Sequence, residues 1–279
     1  MFFARLFQDL LPDAVSLHEP DIFNFNLKRG KGFSYALKQV RESGLRNFAF
    51  GRWNLIHLSD ARLREELSHT DAVRMVHQRR RFFIDSRPGS VYVESSSGYY
   101  GLIDVLPDVF TQHRLAYIVR NGHDWVQSWM NWGALYNKGR IRRLLAHNWP
   151  RASEIRDDPC RSRWESMSRF EKICWCWAKL NGYALRVIQK NPHARIFRFE
   201  ELFRSEDRYH HLKACVGFLT ALCERPAPPA RELKGWLERP LNRSEGAFPS
   251  WHHWTREQKA QFNHLCGPLM GELGYPLNP

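Results

Sequence analysis

The stretch Leu115-Ala-Tyr-Ile-Val-Arg-Asn-Gly-His-Asp-Trp-Val-Gln-Ser-Trp129 carries the clearest fold signal in the sequence. Its first five residues form an apolar run that predicts a buried strand over 115–119. The Asn-Gly-His-Asp segment that follows is typical of a helix start. Aromatic residues then recur at helical spacing, which predicts a helix with one aromatic face: Trp125, Trp129, Trp132 and Tyr136.

Two polar residues of this stretch are suited to phosphate. Arg120 ends the predicted strand, and Ser128 lies eight positions later in the predicted helix. In parallel α/β sheets, ligands bind beyond the carboxyl ends of strands, and a guanidinium near a helix N-terminus is well placed for an anion. The alternative from spacing alone is that Arg120 pairs with Asp124 and that Ser128 is a helix-surface hydroxyl.

Short apolar runs alternate with longer helical patterns along the whole chain. This alternation predicts an α/β fold with a mostly parallel sheet flanked by helices. The expected strands are Ala14 to Leu17, Val91 to Val93, Leu115 to Val119 and Arg195 to Phe199. Apolar stripes predict helices over 173–188 and 262–273, the second capped by Gly274. No repeat of fixed period is present, so we expect a single domain over 1–279.

Composition limits the class of protein and of partner. The chain has 279 residues and is 43% hydrophobic with 11 Trp and 18 Phe, which excludes a disordered chain. A formal net charge of +13 favours anionic partners, namely nucleotides, sulfated or phosphorylated substrates, nucleic acid or acidic lipid. The six cysteines show no metal-ligand spacing and are expected to be reduced. With no apolar run long enough to span a bilayer and no signal peptide, a cytoplasmic location is expected.

The apolar strand followed by Arg120 and then by Ser128-Trp129 resembles the 3′-phosphate-binding segment of the sulfotransferase family. These enzymes transfer a sulfuryl group from 3′-phosphoadenosine 5′-phosphosulfate to a hydroxyl or amine. Three further stretches resemble the family in the same order: Leu10 to Asp21, Arg195 to Phe203 with Leu212 to Leu219, and Trp251 to Tyr275. The resemblance implies a P-loop nucleotide-kinase-like fold, this nucleotide as co-substrate, no metal, and a hydroxyl acceptor, for example on a glycan. It also implies that Arg120 and Ser128 bind the 3′-phosphate.

A sulfuryl transfer needs a base for the acceptor proton. Glu19 and His18 follow a predicted strand, near the place where the resemblance implies a catalytic carboxylate. Glu19 is the first candidate, and His18 the second because its ordinary pKa lies near neutrality. Glu94, at the end of Val91 to Val93, is a further candidate. The alternatives are that Glu19 is a salt-bridged loop residue and that Glu94 is an N-cap or a hydrogen-bond anchor for the turn over 95–97.

The loop Arg239 to Gly246 precedes the last helix, where the resemblance implies a loop over the nucleotide. Arg243 and Ser244 are therefore candidate 3′-phosphate ligands, with a flexible surface loop as the alternative. Lys28 to Phe33 is basic and glycine-containing, but it lacks the spacing of a nucleotide loop, and a solvated turn is favoured.

The family's first strand and its 5′-phosphosulfate loop have no counterpart in this sequence. Met1 to Leu11 resembles the helix that follows that loop, so we expect the sequence to begin after it. A catalytically inactive relative is therefore one alternative. A basic nucleic-acid-binding protein is another, and it is less favoured because no known nucleic-acid-binding module is present.

Overall fold

A computed structural model describes residues 2–20, 55–85, 91–133, 135–136, 149–223, 230–238 and 246–277. The chain divides into an amino-terminal unit, Met1–Val109, and a carboxyl-terminal unit, Phe110–Pro279. The single domain expected from the sequence stays a prediction.

The amino-terminal unit is built on one parallel pair of strands, whose register runs from Val15↔Tyr92 to His18↔Ser95. Helix α1 packs on both strands. Helices α2 and α3 enclose a separate apolar core with the segment over 102–105. The elements are α1 Phe2–Leu10, β1 Val15–His18, α2 Leu55–Leu63, α3 His69–Asp85, β2 Tyr92–Ser95, a 3₁₀ turn Ser97–Tyr99 and α4 Leu106–Val109.

The carboxyl-terminal unit contains a second parallel pair, in register from Leu115↔Ala194 to Val119↔Arg198. Its strands and helices are β3 Leu115–Val119, α5 Gly122–Trp132, α6 Arg169–Ile188, β4 Ala194–Arg198, α7 Phe199–Phe203, α8 Arg208–Leu219, α9 Ala230–Leu237 and α10 Arg256–Glu272. Short 3₁₀ turns are Ala152–Glu154, Trp164–Ser166 and Trp251–His253.

Helices lie against both faces of the β3–β4 pair, because successive side chains of a strand point to opposite faces. On one face, the Tyr117 hydroxyl donates to Asn181 Oδ1 of α6 at 3.0 Å. On the other, the ring of Phe197 packs against Phe218 of α8, with centroids 6.1 Å apart. The sheet pair is therefore the middle layer of a helix–sheet–helix arrangement.

The two long helices of this unit follow the predicted stripes. The apolar residues on which the prediction of α6 rests are all buried. Those on which the prediction of α10 rests are buried as well, apart from the half-buried Leu265. Capping boxes begin both helices, at Ser168 with Glu171 and at Thr255 with Gln258. Gly274 follows α10 in the left-handed region (φ 71°), and the next amide donates back to Met270 O at 2.8 Å. Both helix predictions are confirmed.

The aromatic face predicted for the third helix is only partly buried. Trp125 and Trp129 pack against the core, whereas Trp132 is 62% exposed. The helix ends at Gly133, which is left-handed (φ 73°), and Trp132 therefore lies in the last turn. The guanidinium of Arg169 donates to the Trp129 carbonyl at 2.8 Å and satisfies this end of the helix.

Parallel pairing and the α/β class are confirmed, and each predicted strand lies within two residues of its expected bounds. The described residues contain two two-stranded sheets, one in each unit. A P-loop-type sheet and an N-terminal truncation stay predictions. Within the described ranges, no helix has the length and apolarity needed to cross a membrane.

Two glycines test the packing of the helices. A Cβ at Gly101 would lie 2.9 Å from backbone atoms of Ser59, whereas one at Gly217 in α8 would meet nothing within 4 Å. We expect Gly101→Ala to lower the free energy of unfolding by about 1–3 kcal/mol through overpacking. Gly217→Ala should raise it by up to about 1 kcal/mol because alanine favours the helix. Urea unfolding measures both, and equal effects would contradict this packing.

Candidate functional site

The turn after β3 is anchored from two sides of the carboxyl-terminal unit. The indole N–H of Trp177 in α6 donates to the Arg120 carbonyl at 3.0 Å. The hydroxyl of Tyr275 lies 3.2 Å from the Val119 carbonyl and 2.9 Å from Glu200 Oε2. The Asn121 side chain accepts from the His123 amide at 2.9 Å and caps α5 as predicted. The direction in which Arg120 leaves the sheet is thereby set by packed neighbours.

The guanidinium of Arg120 is incompletely satisfied. Its Nη2 lies 4.0 Å from Asp124 Oδ2, beyond hydrogen-bond distance. Its Nε is buried and has no hydrogen-bond partner in the described part of the chain. The guanidinium lies over the ring of Phe199, 5.4 Å from its centroid. Burial lowers the pKa of Arg120, with the neighbouring Arg204 contributing.

Arg204 joins this site and was not predicted from the sequence. It pairs with Asp124 and lies over the same Phe199 ring, 5.6 Å from its centroid. Asp124 is therefore the shared carboxylate of two arginines. Arg204 follows the Glu-Glu-Leu-Phe run after β4, but no spacing in the sequence links it to Arg120, 84 positions earlier.

Ser128 is half-buried on α5. It lies four residues after Asp124, so both side chains share one face of the helix. Because Asp124 pairs with the arginines, that face is the one directed toward the guanidinium groups. The pairing of Arg120 with Asp124, the alternative from the spacing, is present only as the long 4.0 Å contact.

Carboxylates as well as guanidinium groups lie at this strand end, so the electrostatic field there has contributions of both signs. Glu200 accepts a hydrogen bond from the Asn121 amide at 3.1 Å. Together with burial, it raises the pKa of the Tyr275 hydroxyl. Glu200 thus accepts hydrogen bonds from two uncharged donors, whereas Asp124 accepts one from the charged guanidinium of Arg204. An anion that entered here would compete with the Asp124 carboxylate for both arginines.

His123 lies next to this site but is part of the core. Its ring packs between Trp251 and Phe262, with centroid distances of 4.2 and 4.3 Å. Burial lowers its pKa to about 4. The imidazole is therefore neutral at neutral pH and adds no charge to the arginine pair.

His18 and Glu19 lie together after β1 in the amino-terminal unit. The Glu19 carboxylate accepts from the Ser97 hydroxyl at 2.6 Å, and its other oxygen is 3.7 Å from His18 Nε2. His18 Nδ1 lies 3.0 Å from the Ser95 carbonyl, which makes Nδ1 the proton donor. Burial lowers the pKa of His18, and the Glu19 charge partly offsets this.

Glu19 has a left-handed backbone, with φ of 45°. This conformation is uncommon for a residue with a side chain, and such strain is concentrated at functional sites. The Glu19 amide donates to the Ser95 carbonyl at 3.0 Å, so pairing with β2 helps to hold the strained residue. Ser97 was not predicted as a partner, although it belongs to the serine turn after Glu94.

Glu94 occupies a buried network. Arg80, whose side chain is fully buried, donates to both carboxylate oxygens at 2.6 and 2.7 Å. The hydroxyls of Tyr92 and Tyr99 donate to it at 2.6 and 2.7 Å. Burial and the Glu94 charge raise the pKa of both tyrosines. Four hydrogen bonds occupy this carboxylate, which leaves Glu19 as our first choice for a base.

The remaining predicted ligands, Arg243 and Ser244, lie outside the described residues, as does the second-choice loop Lys28 to Phe33. A search of the described ranges finds no group of three or more His, Cys, Asp or Glu side chains that could hold a metal ion.

Substituting Glu94 tests the buried network. Glu94→Gln removes the carboxylate charge that pairs with the buried Arg80 guanidinium, and we expect it to lower the free energy of unfolding by about 3–5 kcal/mol. The matched control is Asp85→Asn, which breaks the exposed pair with Arg81 at 3.0 Å and should cost less than about 1 kcal/mol. Urea unfolding measures both losses. Similar losses of unfolding free energy would show that the buried ion pair stabilises the fold no more than the exposed one.

No protein-family model, no curated protein and no solved structure matches this chain. The resemblance to sulfotransferases therefore stays a prediction from the sequence.

Proposed function

We propose that this protein is a sulfotransferase that uses 3′-phosphoadenosine 5′-phosphosulfate, and that Arg120 and Ser128 bind the 3′-phosphate. The observation that carries the proposal is the incompletely satisfied guanidinium of Arg120 at the carboxyl end of a parallel strand. Ligands of parallel α/β proteins bind at such strand ends.

A phosphate would complete the hydrogen bonding of this site. A buried polar atom without a partner costs about 1–3 kcal/mol, and a phosphate oxygen at Arg120 Nε would remove that cost. Arg204 supplies a second guanidinium through the shared Asp124, and two cations suit the two charges of a phosphate monoester. The start of α5 adds backbone N–H groups and the positive end of the helix dipole.

Glu19 is the proposed base, with His18 as its neighbour. The acceptor hydroxyl oxygen attacks the sulfur, and its proton passes to Glu19. The bond between sulfur and the bridging oxygen breaks, which releases adenosine 3′,5′-bisphosphate. Arg120→Ala, in the carboxyl-terminal unit, tests nucleotide binding. Glu19→Gln, in the amino-terminal unit, tests base catalysis. Both variants are made in the whole chain.

Adenosine 3′,5′-bisphosphate should stabilise the whole chain. At a concentration 100 times its Kd, the expected gain is about 2.7 kcal/mol, measured as a rise in Tm. Arg120→Ala should abolish this gain because the phosphate loses its principal ligand. Equilibrium dialysis with labelled nucleotide gives a second readout that does not depend on the stability of the variant.

The control is Arg186→Ala, which removes an exposed arginine of α6 and should leave the nucleotide effect unchanged. Unaltered binding by Arg120→Ala would contradict the phosphate assignment. Absence of nucleotide binding, together with nucleic-acid binding that weakens steeply with salt, would replace the proposal with the nucleic-acid alternative.

Glu19→Gln should lower kcat for sulfuryl transfer by about 100-fold or more, since a general base contributes 10²–10⁴-fold. Binding of adenosine 3′,5′-bisphosphate should be unchanged. The assay follows labelled sulfuryl groups from the donor to a panel of hydroxyl-bearing acceptors. Glu66→Gln, at an exposed carboxylate of the same unit, is the control. Turnover equal to that of the parent chain would remove Glu19 as the base, and a parent chain that binds nucleotide without any transfer would favour the inactive relative.

A further inference from the structure

A second group of basic side chains lies at the opposite end of the β3–β4 pair, where the two strands begin. We call His113, Arg114, His193 and Arg195 the amino-edge cluster. The register of the parallel strands brings them together, because the Leu115 amide donates to the His193 carbonyl at 3.0 Å. Since Arg120 follows the carboxyl end of β3, the cluster is separate from the proposed nucleotide site.

The two arginines of the cluster lie over one aromatic ring. Phe218 of α8 is 5.9 Å from the Arg114 guanidinium and 4.7 Å from that of Arg195, measured to the ring centroid. The rings of His113 and His193 meet edge to face at 5.6 Å. Four basic groups thus converge at one edge of the sheet.

The hydrogen bonds define which nitrogens carry protons. Asn191 Oδ1 accepts from the His193 amide at 2.9 Å, so its Nδ2 is the group that donates to His113 Nε2 at 3.3 Å. His113 Nδ1 then donates to the Phe110 carbonyl at 2.7 Å. Arg114 Nη1 donates to His193 Nδ1 at 2.7 Å, which leaves the proton of His193 on Nε2. Both imidazoles are neutral in this arrangement, and burial lowers the pKa of His113.

Among the residues that the structure describes, the cluster has no acidic partner. None of the ion pairs formed within the described ranges includes any of its four residues. Arg114 donates to a histidine nitrogen and to the His113 carbonyl at 3.1 Å, both of them neutral acceptors. Arg195 and His193 are exposed and accessible to a ligand. This differs from Arg80 in the other unit, which is neutralised by Glu94.

We propose that the amino-edge cluster binds a sulfate or phosphate group of a small molecule, held by Arg114, Arg195 and the Nε2–H of His193. A tetrahedral dianion supplies the missing negative charge and accepts hydrogen bonds from each of these donors. Nucleic acid fits less well, because the ring of Phe218 is buried and cannot stack on a base. The site does not depend on the proposed transferase activity.

Sulfate is the probe of choice because it stays a dianion across the range in which histidine titrates. The whole chain, with labelled histidines, is titrated with sodium sulfate against sodium chloride of equal ionic strength and followed by NMR. His113→Gln and His193→Gln assign the two resonances among the 13 histidines. We expect a saturable shift confined to His113 and His193, and an upward shift in the titration midpoint of His113.

Arg114→Gln/Arg195→Gln should raise the Kd for sulfate at least about tenfold, because it removes two charged hydrogen-bond donors. The single variant Arg195→Gln removes an exposed side chain and should also raise the Kd, which keeps the test valid if the double variant does not fold.

The control Arg186→Gln/Arg256→Gln removes two exposed arginines elsewhere and should change the Kd by less than about twofold. Arg120→Gln should leave the histidine response intact, which separates this site from the nucleotide site. Shifts no larger than those in chloride, or equal weakening by both double variants, would overturn the proposal.

Discussion

The register of β3 against β4 is the constraint on which the chemistry of the carboxyl-terminal unit depends. Pairing Val119 with Arg198 brings Arg120 beside α7 and Arg204, and pairing Leu115 with Ala194 brings Arg114 beside His193. A slip of one residue would turn every side chain of a strand to the other face and separate both groups. The register is held by burial, since Tyr117 faces α6 and Phe197 faces α8.

The contrast between satisfied and unsatisfied arginines separates structural from functional candidates. Arg80 is fully buried and meets a carboxylate and a tyrosine hydroxyl, so its charge is neutralised inside the fold. Arg120 is only partly buried and has a distant carboxylate, and the amino-edge arginines have no carboxylate partner in the described parts of the chain. A cation left with spare donors near solvent gains more from an incoming anion than one already paired. This difference, more than the overall charge of +13, is the reason why we propose anion binding at these two places.

Local patterns in the chain were sufficient for the four strands, for α6 and α10, for the start of α5 and for the glycine after α10. Strand-forming runs of three to five residues, Asn121 before α5 and Gly274 after α10 are signals of short range, and the structure has each of them. The aromatic face of α5 was predicted less well, because periodicity does not show where a helix ends. Gly133 ends this one, and Trp132, in its last turn, is exposed.

The sequence alone predicted which residue types could carry chemistry and at which strand ends they lie. It could do so because periodicity and turn chemistry act between residues that are close in the chain. Which of those residues meet was not predicted. Arg204 pairs with Asp124, Ser97 with Glu19 and Arg80 with Glu94, and the two residues of each pair are 14 to 80 positions apart. Folding alone sets such contacts, since hydrogen bonds and ion pairs act over a few ångströms in space and leave no period in the chain.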